Sequence, residues 1–349
     1  MGYPIESKLV IAVASSALFD LRESDKVFRE QGEEEYRRYQ RDRESQKFSQ
    51  GVAFPFIRRF LDLNRIDPKN TPVEVVLLSR NDPDTGLRVF NSIEAYKLDI
   101  SRAAFVNGPD PYRYMEPFNA ALFLSGNAED VRAAIQLGLP AGLVFGTQCI
   151  DNDDDELRIA FDFDGVLADD SAEKVFEKSG TLSLFHQSEK EKALEALGPG
   201  PLKDFFSKIA TLQDLEYEKQ RTQANYKRKI RTAIVTARNA PAHTRVITTL
   251  RNWGIRADEA FFLGGVEKSR ILSTWKPHIF FDDQLSHIRG TAEEVPSVHI
   301  PFGIRNQLAV SSEPPSAAQE ATMAPEGEGV RSASIPVIKL VADQSTGMQ

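Results

Sequence analysis

The sequence predicts an α/β protein with a Rossmann-like parallel sheet and a helical insertion in its second half. Three observations point there. Short apolar runs alternate with longer charged stretches, the pattern of strands joined by crossover helices. In the second half, carboxylates and a threonine stand directly after the apolar runs, at the sheet edge where open parallel sheets bind ligands. The first half repeats the order of those runs but lacks the carboxylates.

In chain order, residues 9–14 (LVIAVA) read as a buried strand. Residues 22–49 are dense in Arg, Glu and Gln, with Phe28, Tyr36 and Tyr39 interleaved, and read as a solvated helical excursion. Strands follow at 73–78 (VEVVLL), 102–106 and 120–124, with a helix at 128–136. An acidic linker, 152–156 (NDDDE), precedes the second series; it lacks the spacing and the glycine of a calcium loop. That series has strands at 157–161, around 234–235, at 260–263 and at 278–281. The charged stretch 170–230 interrupts it as a helical cap. Phe176, Phe185 and His186 in that cap either touch a substrate base or form the cap's own core. From 311 the composition turns to Ser, Pro, Ala, Glu and Gly, too poor in apolar surface to offset its ordering entropy. That tail is expected to be disordered, apart from a possible short strand at 335–341.

The expected organisation is therefore a degenerate α/β half over 1–150, a catalytic half over 151–310 and the tail 311–349. The halves read as a divergent repeat. LVIAVASSALFD (9–20) parallels RIAFDFDGVLAD (158–169), and VVLLSRNDP (75–83) parallels TAIVTARNAP (232–241). Aligned on Asp20 and Asp169, Val13 and Ser15 stand opposite Asp162 and Asp164, and Leu124 and Ser125 opposite Asp282 and Asp283. The first half cannot then assemble a carboxylate metal site in the same way. Its strand edges are expected to face the same cleft as the second half or a paired one.

Composition narrows the function classes. Of 349 residues, 41% are hydrophobic and 27% charged, and the net charge is −8, which disfavours nucleic acid and anionic membranes as partners. No run approaches the about 20 apolar residues of a membrane span. The run at 9–14 is too short for a signal peptide, and Glu6 stands where a myristoylation signal needs a hydroxyl. Cys149 is the single cysteine, so no internal disulfide forms, and it reads as a buried inert residue. A reducing, cytoplasmic location is expected.

Chemistry concentrates in DFDGV (162–166). Two carboxylates one residue apart at a strand end need a cation, and a hard one such as Mg²⁺ suits oxygen ligands and substrate phosphate. Asp162 can attack phosphorus, and Asp164 can protonate the leaving oxygen and later deprotonate water. Gly165 allows a tight turn. Thr236 and the backbone N–H of Ala237 can hold a phosphate oxygen, although Thr236 would equally serve as a helix N-cap. Lys268 can neutralise phosphate. Asp282 and Asp283 close an apolar strand, a costly place for two carboxylates without a cation.

The order Asp-x-Asp, Thr, Lys, Asp-Asp resembles the haloacid dehalogenase superfamily of phosphatases. FNSIEAYKLDI (90–100), GPLKDFFSKIATLQ (200–213), TARNAPAHTRVITTLRNWGI (236–255) and PHIFFDDQ (277–284), with ALFD near the start, are similar to the cytosolic 5′-nucleotidase I family over about 8–303. The resemblance implies a haloacid dehalogenase fold, Mg²⁺ as cofactor and hydrolysis of AMP-like nucleoside 5′-monophosphates. It makes Asp162 the nucleophile and Asp164 the acid/base, with Thr236 and Lys268 on phosphate. Asp162, Asp164 and Asp282 would ligate the metal, and Asp283 would orient that shell from outside. The chain departs from the animal members in DFDGV, where they carry a glycine between the aspartates and an alanine after them; substrate preference is where this bears. A phosphatase for sugar phosphates and a non-catalytic nucleotide sensor are the alternatives. Arg80 and Asn81, in the first half's counterpart of the Thr236 junction, are candidate nucleotide contacts, for recognition of the substrate base or as an effector site; the alternative is that Ser79 and Asp82 only cap the next helix and Arg80 pairs with a carboxylate.

Overall fold

The computed structural model describes residues 2–146 and 154–309. Cys149, the start of the acidic linker, the tail and the strand expected at 335–341 lie outside the described residues. Ten strands form one sheet: β1 Leu9–Val13, β2 Val73–Ser79, β3 Arg102–Phe105, β4 Ala120–Ser125, β5 Ala141–Phe145, β6 Leu157–Phe161, β7 Ile230–Thr236, β8 Glu259–Phe262, β9 Ile279–Asp282 and β10 Ser297–His299. The expected strands form, within one to a few residues at their ends. The short β5 (AGLVF) and β10 (SVH) were not foreseen. Ala and Gly are poor strand formers, and three residues carry no readable period.

The strand order is β8-β7-β6-β9-β10-β5-β4-β1-β2-β3. Each half has its own first strand in the middle, its second and third to one side, and its fourth and fifth to the other. Within each half every pairing is parallel. The halves meet at β5 and β10, which pair antiparallel through Phe145 with Ser297, Val144 with Val298 and Leu143 with His299. The fold is thus α/β with a largely parallel sheet of the haloacid dehalogenase type, made of two parallel blocks that run in opposite directions.

This seam relocates the first half's junction. The carboxyl ends of β1, β2 and β4 lie on one edge of the sheet, and those of β6, β7 and β9 on the opposite edge. Four strands separate β1 from β6, about 24 Å at the usual strand spacing. The halves therefore share a sheet but not a cleft, contrary to the sequence expectation.

The alignment of the halves also moves by one residue. Ala14 donates its N–H to Leu124 O at 2.8 Å, as Asp162 does to Phe281 O at 2.8 Å. Asn81 N–H reaches Ser79 Oγ at 3.2 Å, as Arg238 N–H reaches Thr236 Oγ1 at 3.2 Å. Asn127 N–H reaches Ser125 Oγ at 3.0 Å, as Gln284 N–H reaches Asp282 Oδ1 at 2.8 Å. Ala14, Ser16, Ser125 and Gly126 accordingly occupy the positions of Asp162, Asp164, Asp282 and Asp283. Anchoring on Asp20 and Asp169 misses this because the two loops from strand end to aspartate differ in length by one residue.

Alternation along the strands divides the core. Leu9, Ile11 and Val13 face a cluster that runs unbroken through both halves to Phe161, Phe281 and Val298. Val10 and Ala12 face a second cluster, and Ala160, Val235 and Phe280 a third, on the other face. Helix α1, Arg22–Asp42, is the expected excursion; Gly32 at φ 85° breaks it, a conformation glycine adopts without strain. It is tied to α2, Pro83–Ala95, through Arg37 to Asp82 at 3.0 Å and Arg41 to Asp84.

The insertion has two parts. Helices α3, Ser171–Ser179, and α4, Leu182–Glu191, pack on each other near the second half's strand ends. Helix α5, Lys203–Thr222, belongs to the common core instead. Phe205 and Phe206 are fully buried, and Phe206 lies 4.9 Å from Phe161 between ring centroids. In the linker, Asp154 accepts from Arg158 at 2.9 Å and from the buried Arg59 at 3.0 Å, so its acidity fastens the second half to the first.

Candidate active site

Strands β6, β7 and β9 end beside one another and carry Asp162, Thr236 and Asp282 to one edge. Asp162 is 4% exposed. Its Oδ1 accepts the Phe163 N–H at 2.6 Å, and its Oδ2 lies 2.7 Å from Lys268 Nζ. Burial pushes Asp162 up to about 6 even though Lys268 pulls it down. Lys268 opens helix α6, Lys268–Trp275, and also meets Asp282 Oδ2 at 2.6 Å. Burial disfavours its ammonium charge, but the two carboxylates outweigh that and raise its pKa.

The two closing aspartates differ sharply. Asp282 Oδ1 accepts the Gln284 N–H at 2.8 Å, Oδ2 takes Lys268, and His287 Nδ1 stands 3.1 Å from Oδ2. Burial works against its ionisation, yet Lys268 and His287 hold it below the usual carboxylate range. Asp283 is 1% exposed, and neither of its oxygens has a hydrogen-bond partner among the described residues. Burial, then the charges of Asp162 and Asp282, push it well above the usual range. Gly165, at φ 72°, passes so close that a Cβ there would lie 2.5 Å from Asp283 Oδ2.

A buried carboxylate with both oxygens bare is expensive unless something positive joins it. The residues present therefore fit a hard divalent cation, and Asp283 has the free oxygens for it. Asp162, Asp282 and His287 also place ligand atoms within 4.8 Å of one another. The Lys268 ammonium already bridges Asp162 and Asp282, however, and leaves Asp282 no unshared side. Hydrogen bonding thus favours exchanging the roles that sequence reasoning gave the pair: Asp283 toward the cation, Asp282 holding Lys268.

Asp164 is likewise bound. Arg238 Nε and Nη2 grip its two oxygens at 2.7 Å each, and Arg238 Nη1 bonds Glu189. Burial opposes the guanidinium charge, and Asp164 and Glu189 more than offset it. Side-chain ligation of a metal by Asp164 is therefore not favoured. Thr236 is buried; its hydroxyl accepts the Arg238 N–H, which leaves its own O–H to donate. Ala237 follows on the solvent side. Beside Asp283 a cavity opens between Glu177, Gln284, Ser286, Arg305 and Asn306. Glu173 from α3 also lies near; it takes Arg305 at 3.1 Å on Oε1, while its Oε2 is buried without a hydrogen-bond partner among the described residues. Burial raises it to about 7.

Sequence reasoning missed Arg238, Glu189 and Glu173. Arg238 stands two residues after Thr236, a position from which it could have been suspected; the two glutamates sit in a charged helical stretch with no local signal. The aromatic candidates in the insertion pack together. Phe176 and Phe185 meet edge-on at 6.1 Å between centroids, and His186 bonds Asn239 Oδ1 at 3.0 Å. Arg80 and Asn81 are on the far edge of the sheet. Arg80 Nε reaches both oxygens of Asp130 at 3.1 Å and its Nη1 donates to Gly108 O at 2.6 Å. Asp82 caps α2 by accepting the Thr85 N–H at 2.8 Å. Contact of that junction with a substrate at Asp162 is excluded by the topology.

A family model described as 5′-nucleotidase matches residues 1–307. The chain belongs to the 5′-nucleotidase family. It is 36% identical over 292 residues to human cytosolic 5′-nucleotidase 1B, covering 82% of this chain and 47% of that protein. The chain thus spans about half the length of that curated relative. No solved structure matches it. The 5′-nucleotidase match takes in both halves of the sheet, so the half that lacks counterparts of the site carboxylates is matched too. Among the described residues no helix is long and apolar enough to cross a membrane.

The bare Asp283 carboxylate has a measurable consequence. Asp283→Asn should stabilise the metal-free protein by about 1–3 kcal/mol at neutral pH, because it removes a buried carboxyl that must either ionise without a partner or hold a proton that the unfolded chain does not. The same substitution should abolish stabilisation by added Mg²⁺. Denaturant melts in chelator and in excess Mg²⁺ check both; a variant that Mg²⁺ still stabilises as it does the wild type would remove Asp283 from the cation site.

Proposed function

We propose that this chain hydrolyses nucleoside 5′-monophosphates of the AMP type through an aspartyl phosphate on Asp162. The observation that carries the reading is the buried group at one strand edge: Asp162 held by Lys268, Asp164 two residues later, and the bare Asp283 beside them. The family and the relative's name support a nucleotide phosphorylated at the 5′ position. Asp162 Oδ attacks phosphorus, and the P–O5′ bond breaks with its electron pair going to O5′. Asp164 supplies the proton that O5′ takes up. Water then attacks the aspartyl phosphate, Asp164 receives its proton, and the P–Oδ bond breaks to release phosphate and restore Asp162. Thr236 and the Ala237 N–H hold phosphate oxygens, and Lys268 balances the charge that builds on them.

Asp162 and Asp283 would hold a magnesium ion, which when bound neutralises phosphate charge. Removing it with chelator should abolish turnover. The strand order shared by the halves supports reading 1–150 as a degenerate copy that serves 151–310 as scaffold. Phosphate release measured across nucleoside 5′-monophosphates, 3′-monophosphates and sugar phosphates tests the function. The 5′-nucleotides should lead by at least about tenfold. Faster release from sugar phosphates would replace this reading with a general small-phosphoester phosphatase, and nucleotide binding without release would replace it with a sensor.

A further inference from the structure

Asp164 is not free in this structure, and the residue that binds it is itself bound by the insertion. Arg238 is 5% exposed and Glu189 2%. The guanidinium presents Nε and Nη2 to the two oxygens of Asp164 at 2.7 Å each, a parallel fork that fixes the plane of the carboxylate. Its remaining edge, Nη1, donates to Glu189 Oε2. Glu189 Oε1 accepts from Arg245 Nη1 at 2.8 Å, and Arg245 Nε donates to Glu195 O at 2.9 Å. Two arginines and two carboxylates thus form a neutral chain whose middle members, Arg238, Glu189 and Arg245, are buried, while Asp164 at its end is partly exposed to the site. Such a chain contributes little net stability compared with an apolar replacement of the same volume, so its placement beside Asp164 calls for another reason.

We propose that Arg238 is the positioning residue for the acid/base Asp164, and that Glu189 makes this positioning depend on docking of the α3–α4 insertion. The proposal rests on the reading of Asp164 given above. Arg238 cannot itself supply a proton, since a guanidinium stays charged at any working pH. What it does is hold the Asp164 carboxylate in one orientation. Arg238 is held in turn from the insertion side. Glu189 lies in α4, and α4 makes a second tie to the same loop through His186 and Asn239 at 3.0 Å. With α4 undocked, Arg238 would lose Glu189, and the fork on Asp164 would lose its backing. A closed insertion and a ready acid/base are then one event, which confines proton transfer to a covered site.

A change of leaving group tests this. In a nucleoside 5′-S-phosphorothiolate, sulfur replaces the bridging oxygen; the departing thiolate needs no proton, while the nucleoside is unchanged. Wild type, Asp164→Asn, Arg238→Ala, Arg238→Lys and Glu189→Gln are compared on the oxygen and sulfur substrates, with a thermal melt for each to confirm folding. Arg238→Ala should lose about 100-fold in kcat on the oxygen ester and at least tenfold less than that on the sulfur ester. Arg238→Lys should recover part of the difference, and Glu189→Gln should show the same selectivity more weakly. Equal losses on both substrates for Arg238→Ala, beside a selective loss for Asp164→Asn, would make Arg238 merely structural and overturn the proposal. Equal losses for Asp164→Asn would overturn the acid/base reading and this proposal with it. A Glu189→Gln enzyme with wild-type behaviour on both substrates would overturn the coupling to the insertion.

Discussion

Asp162→Asn is expected to lower turnover of a nucleoside 5′-monophosphate by at least about 10⁴-fold, a loss typical of removing a covalent nucleophile. The amide has nearly the shape of the carboxylate, and its one oxygen can still accept either from Lys268 or from the Phe163 N–H, so one of the two bonds is lost while the fold has little reason to change. Lys268 also keeps Asp282 at 2.6 Å and stays paired. Thermal stability should therefore be close to that of wild type. Rapid acid quench with ³²P-labelled nucleotide gives a sharper readout than steady-state rates. Wild type should yield protein-bound label that hydroxylamine releases, as an acyl phosphate does, and the variant should yield none. Phosphate release within about a hundredfold of wild type by the purified, folded variant would rule out Asp162 as nucleophile.

Lys268→Met should be the most damaging single change to stability at the site. Lys268 is the cation between Asp162 and Asp282, which are 4% and 0% exposed. Methionine fills much of the volume but leaves two buried carboxylates facing each other. Breaking a buried pair in this way costs about 3–5 kcal/mol. Turnover should fall by about 10²–10³-fold, the usual loss when a group stabilising transition-state charge is removed. Equilibrium unfolding in urea and kcat at saturating nucleotide check the two parts separately. A stability loss below about 1 kcal/mol would mean that other groups hold Asp162 and Asp282 at that edge.

Much of this was legible in the sequence, for a physical reason. Strands buried on both faces must be apolar runs, and runs such as VEVVLL announce themselves. That the candidate residues meet was legible because each follows a run, so strand register alone delivers Asp162, Thr236 and Asp282 to one edge. What failed was information carried between distant segments. The β5–β10 seam rests on three residue pairs, and no local pattern reveals that those pairs run antiparallel. With that hidden, the first half's junction could not be assigned to the far edge, and contact of Arg80 with the substrate base stayed open. The difference in bonding between Asp282 and Asp283 was hidden likewise. It depends on where Lys268, His287 and Gly165 arrive, and only the folded chain brings those three around one dipeptide. Arg238 and Glu189 meet across 49 positions of sequence, with nothing in either neighbourhood to mark the partner.

The seam also sets an order of events during synthesis. The first half, through β5, leaves the ribosome well before the second half, and domains made first tend to fold first. Its five strands can pair among themselves, but β5 then ends the sheet with one side open. The strand that covers it, Ser297–His299, is the last of the ten to be made. In the interval AGLVF is an apolar edge strand with no charge or proline to block it, the kind that can pair with another copy. Crowding of nascent chains, rather than any weakness of the finished sheet, is thus where losses to aggregation should arise.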